Sequence, residues 1–139
     1  MTSTFRLLAY TTIGGALVLG ACRTNSARPI QEDPAYASQV ALQDLHLSAE
    51  LNFLGQQVTY LDGTAINKGS KTVRALKARL LFRDLMNQIV LREEQAIIPE
   101  GPVVLNPGQS RAFHINFDQI PDSWNQAVPE VQIVSLRTQ

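Results

Sequence analysis

The chain of 139 residues has one cysteine and two histidines. A structural zinc site takes four Cys or His ligands, which is more than this chain has. A single cysteine forms no intramolecular disulfide, which excludes a disulfide framework. These shortages also leave few side chains for metal-dependent or nucleophilic chemistry. We therefore expect no cofactor, no metal site and no enzymatic activity.

An excess of charge of either sign is missing as well. The 12 basic and 12 acidic side chains cancel, and the isoelectric point is near 6.7. Nucleic-acid-binding domains carry a basic patch, so we expect no nucleic-acid partner. A composition that is 45% hydrophobic and 17% charged is typical of a globular protein. One domain of ordinary size is expected from this length.

Residues 1–21 have the layout of a secretory signal. Arg6 precedes the apolar stretch Leu7–Ala21. This stretch is shorter than the roughly 20 apolar residues that a membrane-spanning helix needs, and its length suits the apolar region of a signal peptide. The sequence therefore predicts export and removal of residues 1–21.

The signal ends in Leu19-Gly20-Ala21-Cys22. This tetrapeptide resembles the lipobox of bacterial lipoproteins, in which small residues flank the cleavage site and the cysteine sulfur takes a diacylglyceryl group. The resemblance implies that Cys22 becomes the acylated first residue and anchors the protein in a membrane. Arg23 stands where an aspartate favours the inner membrane, so an outer-membrane position facing the periplasm is implied. The alternative is an ordinary signal peptide with a chance cysteine.

The exported chain divides into a polar segment and a domain. Residues 22–43 contain Pro29 and Pro34 and little apolar periodicity, which predicts a lipidated start and a flexible linker. Residues 44–139 show mostly alternating apolar and polar positions, which is typical of half-buried strands. Six or seven such strands separated by turns predict an all-β, immunoglobulin-like antiparallel β-sandwich.

Two of the predicted strands alternate most clearly. Leu76, Ala78, Leu80 and Phe82 are expected on one face of a strand whose other face carries Lys77, Arg79 and Arg83. Phe113, Ile115 and Phe117 alternate with polar residues in the same way. The dipeptide Asp62-Gly63 leaves two interpretations open, since it is a strong hairpin signal and also lies within a run rich in β-branched residues.

Short motifs in the domain carry a second resemblance. They are Gly63 to Asn67, a strand that ends Phe82-Arg83-Asp84, and Leu105-Asn106-Pro107-Gly108-Gln109-Ser110 leading into Phe113. Together they resemble the FxLYD-type domain and related uncharacterised envelope domains, over about Val58 to Leu136. The resemblance implies a β-sandwich of the cell envelope and assigns no activity. The chain departs from the family pattern at Leu85-Met86-Asn87, where glycine usually follows the aspartate.

The histidines do not form a catalytic group by spacing. Ser110, His114 and Asp118 fall on one face of a strand, but positions four apart are about 13 Å apart, beyond hydrogen-bond reach. His46 joins His114 only if the sheet brings their strands together, and two histidines without a third ligand make a weak metal site. Solvent-facing histidines are the expected arrangement.

Basic residues are concentrated in one run, which comprises Lys68, Lys71, Arg74, Lys77, Arg79 and Arg83. Arg79 is expected opposite Glu93 or Glu94 if residues 84–88 form a hairpin turn. The run is then largely a solvated sheet face. The functional alternative is that Lys71, Lys77, Arg79 and Arg83 bind anionic lipid headgroups, a cell-wall polymer or an acidic protein.

Trp124 is the only tryptophan in the chain. In a loop of a small sandwich, a tryptophan fills one open end of the core. The alternative is an exposed anchor for a partner, because tryptophan is enriched at binding hot spots.

Two functions remain open after these exclusions. One is a lipid-anchored, non-enzymatic interaction or accessory module of the bacterial cell envelope, with an envelope protein or anionic polymer as partner. The other is a small-ligand carrier, or an accessory subunit of an envelope enzyme, with a site between the sandwich loops. A deep apolar pocket with converging polar groups favours the second function.

Overall fold

The computed structural model describes residues 28–117 and 119–139. The predicted signal peptide and Cys22 lie outside these ranges, as does Asp118. The elements in chain order are β1 (Gln31–Glu32), a 3₁₀ helix (Pro34–Gln39), β2 (Val40–Leu51), β3 (Gln57–Asn67), β4 (Val73–Arg83), β5 (Ile89–Ile98), β6 (Ser110–Phe117) and β7 (Glu130–Thr138). In the part of the chain that the structure describes, no helix is long and apolar enough to cross a membrane.

The strands form two antiparallel sheets. One sheet has the order β1-β7-β4-β5 and the other has the order β2-β3-β6. Buried side chains from both sheets, including Leu61 and Phe113 from one and Leu80 and Phe82 from the other, form one hydrophobic core. This arrangement confirms the predicted all-β sandwich.

The alternation expected from the sequence determines which side chains reach the core. In β4, Leu76, Ala78, Leu80 and Phe82 are fully buried. In β6, Phe113, Ile115 and Phe117 are buried, while His114 is exposed. The predicted faces of these two strands are therefore confirmed.

Asp62 and Gly63 lie within β3 and do not form a turn. Asp62 pairs with His46 of β2 and His114 of β6, so both neighbouring strands continue past this point. A Cβ atom on Gly63 would lie 2.5 Å from the Phe113 ring and 2.7 Å from the Leu45 side chain. The glycine is therefore explained by close packing of these two side chains across β3.

Asn67 ends β3 as a fully buried polar residue whose side chain is fully bonded. Its Oδ1 accepts hydrogen bonds from the Tyr36 hydroxyl at 2.8 Å and the Gly69 amide at 3.1 Å. Its Nδ2 donates to the carbonyls of Lys71 at 2.7 Å and Leu105 at 3.0 Å. The asparagine of the Gly63–Asn67 motif thus joins the N-terminal segment to two later connections.

Residues 31–43 belong to the sandwich, where the sequence predicts a flexible linker. β1 pairs with the end of β7, and the Asp33 amide donates to the Leu136 carbonyl at 2.9 Å. Tyr36 and Val40 are buried in the core. The sequence of this segment does not alternate like a strand because a 3₁₀ helix interrupts it. Its contacts with the domain come from the buried Tyr36 ring and from the pairing of β1 with β7.

The two ends of the sandwich are distinct. The proximal end contains the start of the described chain, because β1 pairs with the last residues of β7, which in turn pair with Val73 at the start of β4. The distal end contains the β2–β3 and β4–β5 hairpin loops, at residues 52–56 and 84–88, and residues 119–129 between β6 and β7. β3 runs the length of the sandwich, with Gln57 at the distal end and Asn67 at the proximal end.

Candidate functional site: a cleft at the distal end

A cleft of about 990 Å³ opens at the distal end between the two sheets. Its apolar lining includes Leu47 of β2, Leu91 of β5 and Phe117 of β6, together with Ile120 and Trp124 of the β6–β7 connection. Polar residues also line it, and these are Ser48, Gln57, Thr59, Gln119, Asp122 and Gln126. A mixed lining of this kind, at about this volume, is typical of small-ligand sites.

Trp124 forms part of the cleft wall. The backbone amide of Trp124 donates to the Pro121 carbonyl at 3.0 Å. The indole ring packs edge-to-face on Phe82, with ring centroids 5.6 Å apart. Its Nε1 is buried and has no hydrogen-bond partner among the described residues. Packing alone therefore holds the ring. Trp124 partly closes the distal end of the core, as one interpretation predicted, and also borders a cleft.

The backbone amide of Asn125, in the β6–β7 connection, donates to the carbonyl of Arg83 at 2.9 Å. This bond attaches the connection to β4 of the four-stranded sheet. Within residues 122–126 the backbone forms only a two-residue turn, at Asp122 and Ser123. This wall of the cleft is therefore irregular backbone between β6 and β7, and the bond from Asn125 fixes it to β4.

The four predicted basic residues do not form one free positive surface. The Lys71 ammonium contacts the Asp33 carboxylate at 2.6 Å in the connection between β3 and β4. Arg79 pairs with Glu94 at 2.7 Å, which confirms the expected cross-strand pair, and Arg83 pairs with Glu130 at 3.0 Å. Among the described residues, only Lys77 of the four lacks an acidic partner.

The ion pairs also lower the pKa values of two carboxyls. The hydrogen bond from Lys71 holds the pKa of Asp33 below its ordinary value. The hydrogen bond from Arg83 does the same for the pKa of Glu130. Both carboxylates are therefore ionised at neutral pH and offset the neighbouring positive charge.

The two histidines meet on the outer face of the three-stranded sheet, on either side of Asp62. His114 Nδ1 lies 2.5 Å from Asp62 Oδ1, and His46 Nε2 lies 3.8 Å from Oδ2. Ser48 Oγ donates to Asp62 Oδ2 at 2.8 Å, and the Tyr60 ring stacks on His114. The His114 contact and the Ser48 hydrogen bond, in that order of effect, lower the pKa of Asp62.

This cluster is not arranged as a nucleophile and base. The Ser48 hydroxyl donates to the carboxylate, whereas an activated serine donates to an imidazole nitrogen. Within residues 28–117 and 119–139, no group of three or more His, Cys, Asp or Glu is arranged to hold a metal ion. Asp62 therefore acts here as a common hydrogen-bond acceptor that joins three strands.

Sequence reasoning identified Trp124 but not the rest of the cleft. Leu47 and Phe117 read as ordinary inward-facing strand residues, and only the positions of the two sheets show that the core is open beside them. The sequence does not predict the Asp62 cluster, because the dipeptide Asp62-Gly63 leaves a hairpin turn and a strand both open. The signal that could have found it is the polar position at 62 between apolar residues of a strand-like run.

These features define a small all-β sandwich with a cleft at one end of the core. Comparison with protein-family models, with curated proteins and with solved structures finds no match to this chain.

Proposed function

We propose that the protein is a lipid-anchored, non-enzymatic interaction module of the bacterial cell envelope, with an outer-membrane position facing the periplasm. The anchor is the acylated Cys22 that the lipobox-like tetrapeptide implies. The observation that carries the proposal is the position of the cleft, at the end of the sandwich opposite to the end where the chain from Cys22 arrives. A module held at its proximal end presents its distal end to partners.

The arrangement of polar side chains is compatible with a binding role. The described histidines, Ser48 and Asp62 form a structural network, and Lys71, Arg79 and Arg83 of the basic run are paired with carboxylates. An envelope protein that contacts the distal end is therefore favoured over an anionic polymer bound along β4.

Acylation is tested by metabolic labelling of cells that produce the full chain. The parent is expected to incorporate labelled fatty acid and to fractionate with membranes. Cys22→Ser is expected to lose the label, because only the thiol accepts the diacylglyceryl group. Thr24→Ser is a control near the processing site. Label that persists in Cys22→Ser would rule out the anchor.

A second candidate function is a carrier of a small apolar ligand, and the cleft volume favours it. The test uses Trp124, whose fluorescence is the only tryptophan signal of the chain. Anilinonaphthalene sulfonate bound in the cleft is expected to quench Trp124 by energy transfer, and Ala49→Phe, which places a ring in the cleft, is expected to reduce that quenching. Equal quenching in both proteins would place the dye elsewhere and remove support for this function.

A further inference from the structure

The two hairpin loops at the distal end are built in the same way. The first is Asn52-Phe53-Leu54-Gly55-Gln56 and the second is Asp84-Leu85-Met86-Asn87-Gln88. Each begins with Asn or Asp, continues with two large apolar residues, and ends with a residue of positive φ followed by Gln. The φ angle is 76° at Gly55 and 64° at Asn87. Asn87 therefore takes the place of the glycine expected in the FxLYD-type pattern.

In each loop the first side chain accepts hydrogen bonds from the same two backbone amides. In the first loop, Asn52 Oδ1 accepts from the amides of Leu54 and Gln56, both at 2.9 Å. In the second, Asp84 Oδ1 accepts from the amides of Met86 at 2.9 Å and Gln88 at 2.8 Å.

The backbone closes both loops identically. In the first, the Asn52 amide donates to the Gln56 carbonyl and the Gly55 amide to the Asn52 carbonyl, both at 2.9 Å. In the second, the equivalent bonds run from Asp84 to Gln88 at 2.9 Å and from Asn87 to Asp84 at 3.1 Å. Four of the five amides in each loop are thus bonded within the loop.

The side chains that these loops present are unusual for turns. Phe53 is 97% exposed and Leu54 is 70% exposed, while Leu85 is 91% and Met86 is 80% exposed. Turn positions are normally occupied by Gly, Pro, Asn, Asp or Ser. Neighbouring exposed apolar side chains of this size mark an interaction surface. The two loops belong to different sheets, so the distal end carries two separate apolar tips.

We propose that the two tips, Phe53-Leu54 and Leu85-Met86, insert together into the surface of a phospholipid bilayer. Three observations favour lipid over a protein pocket. The tips are convex and separate, and a bilayer accepts such points without complementary pockets. Four of the five amides in each loop are satisfied internally, which lowers the cost of apolar surroundings. Residues 51–57 carry no charge, and the one charged residue of the second loop, Asp84, uses its carboxylate to bind backbone amides.

The inference does not depend on acylation of Cys22, but the two together specify which bilayer is bound. The eight residue steps from Cys22 to Ile30 span at most about 28 Å. The 12 residues of β2, with 11 steps between them, extend over about 36 Å from the proximal to the distal end. The chain is too short to bring upright tips back to the anchoring membrane. Upright insertion of both tips by an anchored molecule therefore requires a second, facing bilayer.

The test places a polarity-sensitive fluorophore at a tip. The full chain carries Cys22→Ser, so that it has neither an acyl chain nor another thiol, and NBD is attached at Phe53→Cys or Leu85→Cys. Lys77→Cys, on the exposed outer face of β4, is the matched control. With vesicles of zwitterionic phosphatidylcholine, both tip probes are expected to shift to shorter wavelength and to be quenched by nitroxide-labelled lipid, while the control probe remains aqueous. The readout is local, so attachment through another part of the chain does not affect it.

A second variant tests whether the tips act together. Leu85→Ser with Met86→Ser is expected to reduce vesicle binding of the probe at position 53 about tenfold, which corresponds to about 1.4 kcal/mol. Insertion of apolar side chains is expected to be insensitive to salt, in contrast to binding through the basic run. Tip probes that stay aqueous in excess vesicles would overturn the inference. A shift that appears without vesicles and grows with protein concentration would also overturn it, in favour of self-association.

Discussion

At the scale of single residues, Asn67 is the most connected polar group of the interior. It bonds the Tyr36 hydroxyl, the Gly69 amide and two carbonyls without contact with solvent. Asn67→Ala leaves several of these groups without a partner, each at about 1–3 kcal/mol. We expect a loss of about 2–4 kcal/mol in the free energy of unfolding, measured by urea denaturation. The exposed Asn106→Ala is the control, and an equal effect in both variants would contradict this account.

Asp62 is expected to contribute to the pH dependence of stability. Its folded pKa is lowered, so its contribution is present at pH values above the ordinary Asp pKa of about 3.9 and is lost as the pH falls through the folded pKa. Asp62→Asn should therefore lose less stability than the parent between pH 6 and pH 3. Asp33 and Glu130 have lowered pKa values too and preserve part of the dependence. Urea midpoints at both pH values test this, with Glu50→Gln as the control.

At the scale of elements, different residues of each hairpin loop determine its conformation and form its exposed surface. In the first loop, Asn52 holds the backbone and Phe53 is exposed at the tip. Asn52→Ala removes the acceptor of two loop amides and is expected to cost about 1 kcal/mol. Phe53→Ser changes an exposed side chain and is expected to change stability by no more than about 0.5 kcal/mol. Urea denaturation distinguishes the two variants. A large loss in Phe53→Ser would mean that the tip packs on the domain.

The elements also show what the sequence could and could not predict. The faces of β4 and β6 follow from their alternation, and the turn at residues 84–88 narrows the partner of Arg79 to Glu93 or Glu94, of which the structure has Glu94. Alternation of apolar and polar residues does not show that the two loops are alike. Their sequences, Asn-Phe-Leu-Gly-Gln and Asp-Leu-Met-Asn-Gln, can nevertheless be aligned by residue type. The cleft does not follow from the sequence, because its volume depends on the relative position of two sheets and not on any local pattern.

At the scale of the whole molecule, the N-terminal segment is expected to be part of the folding unit. A chain of residues 28–139 retains Tyr36, Val40 and the paired start of β2, whereas a chain of residues 44–139 loses all three. We expect a cooperative melt and a β-type circular dichroism spectrum for the longer chain and a clearly lower Tm for the shorter one. Equal melting temperatures would show that the segment only lies on the surface.

The use of the distal end as the contact surface is the claim on which the proposed function depends. The most direct measurement is site-specific photo-crosslinking in intact cells that produce the full chain. A photoreactive residue replaces Gln126 in the cleft or Phe53 at a tip, with Lys68 at the proximal end and Lys77 on the outer face of β4 as matched exposed positions. We predict a crosslinked protein from position 126 and crosslinked lipid from position 53, and neither product from positions 68 and 77. Products confined to positions 68 or 77, or the same products from all four, would contradict the account.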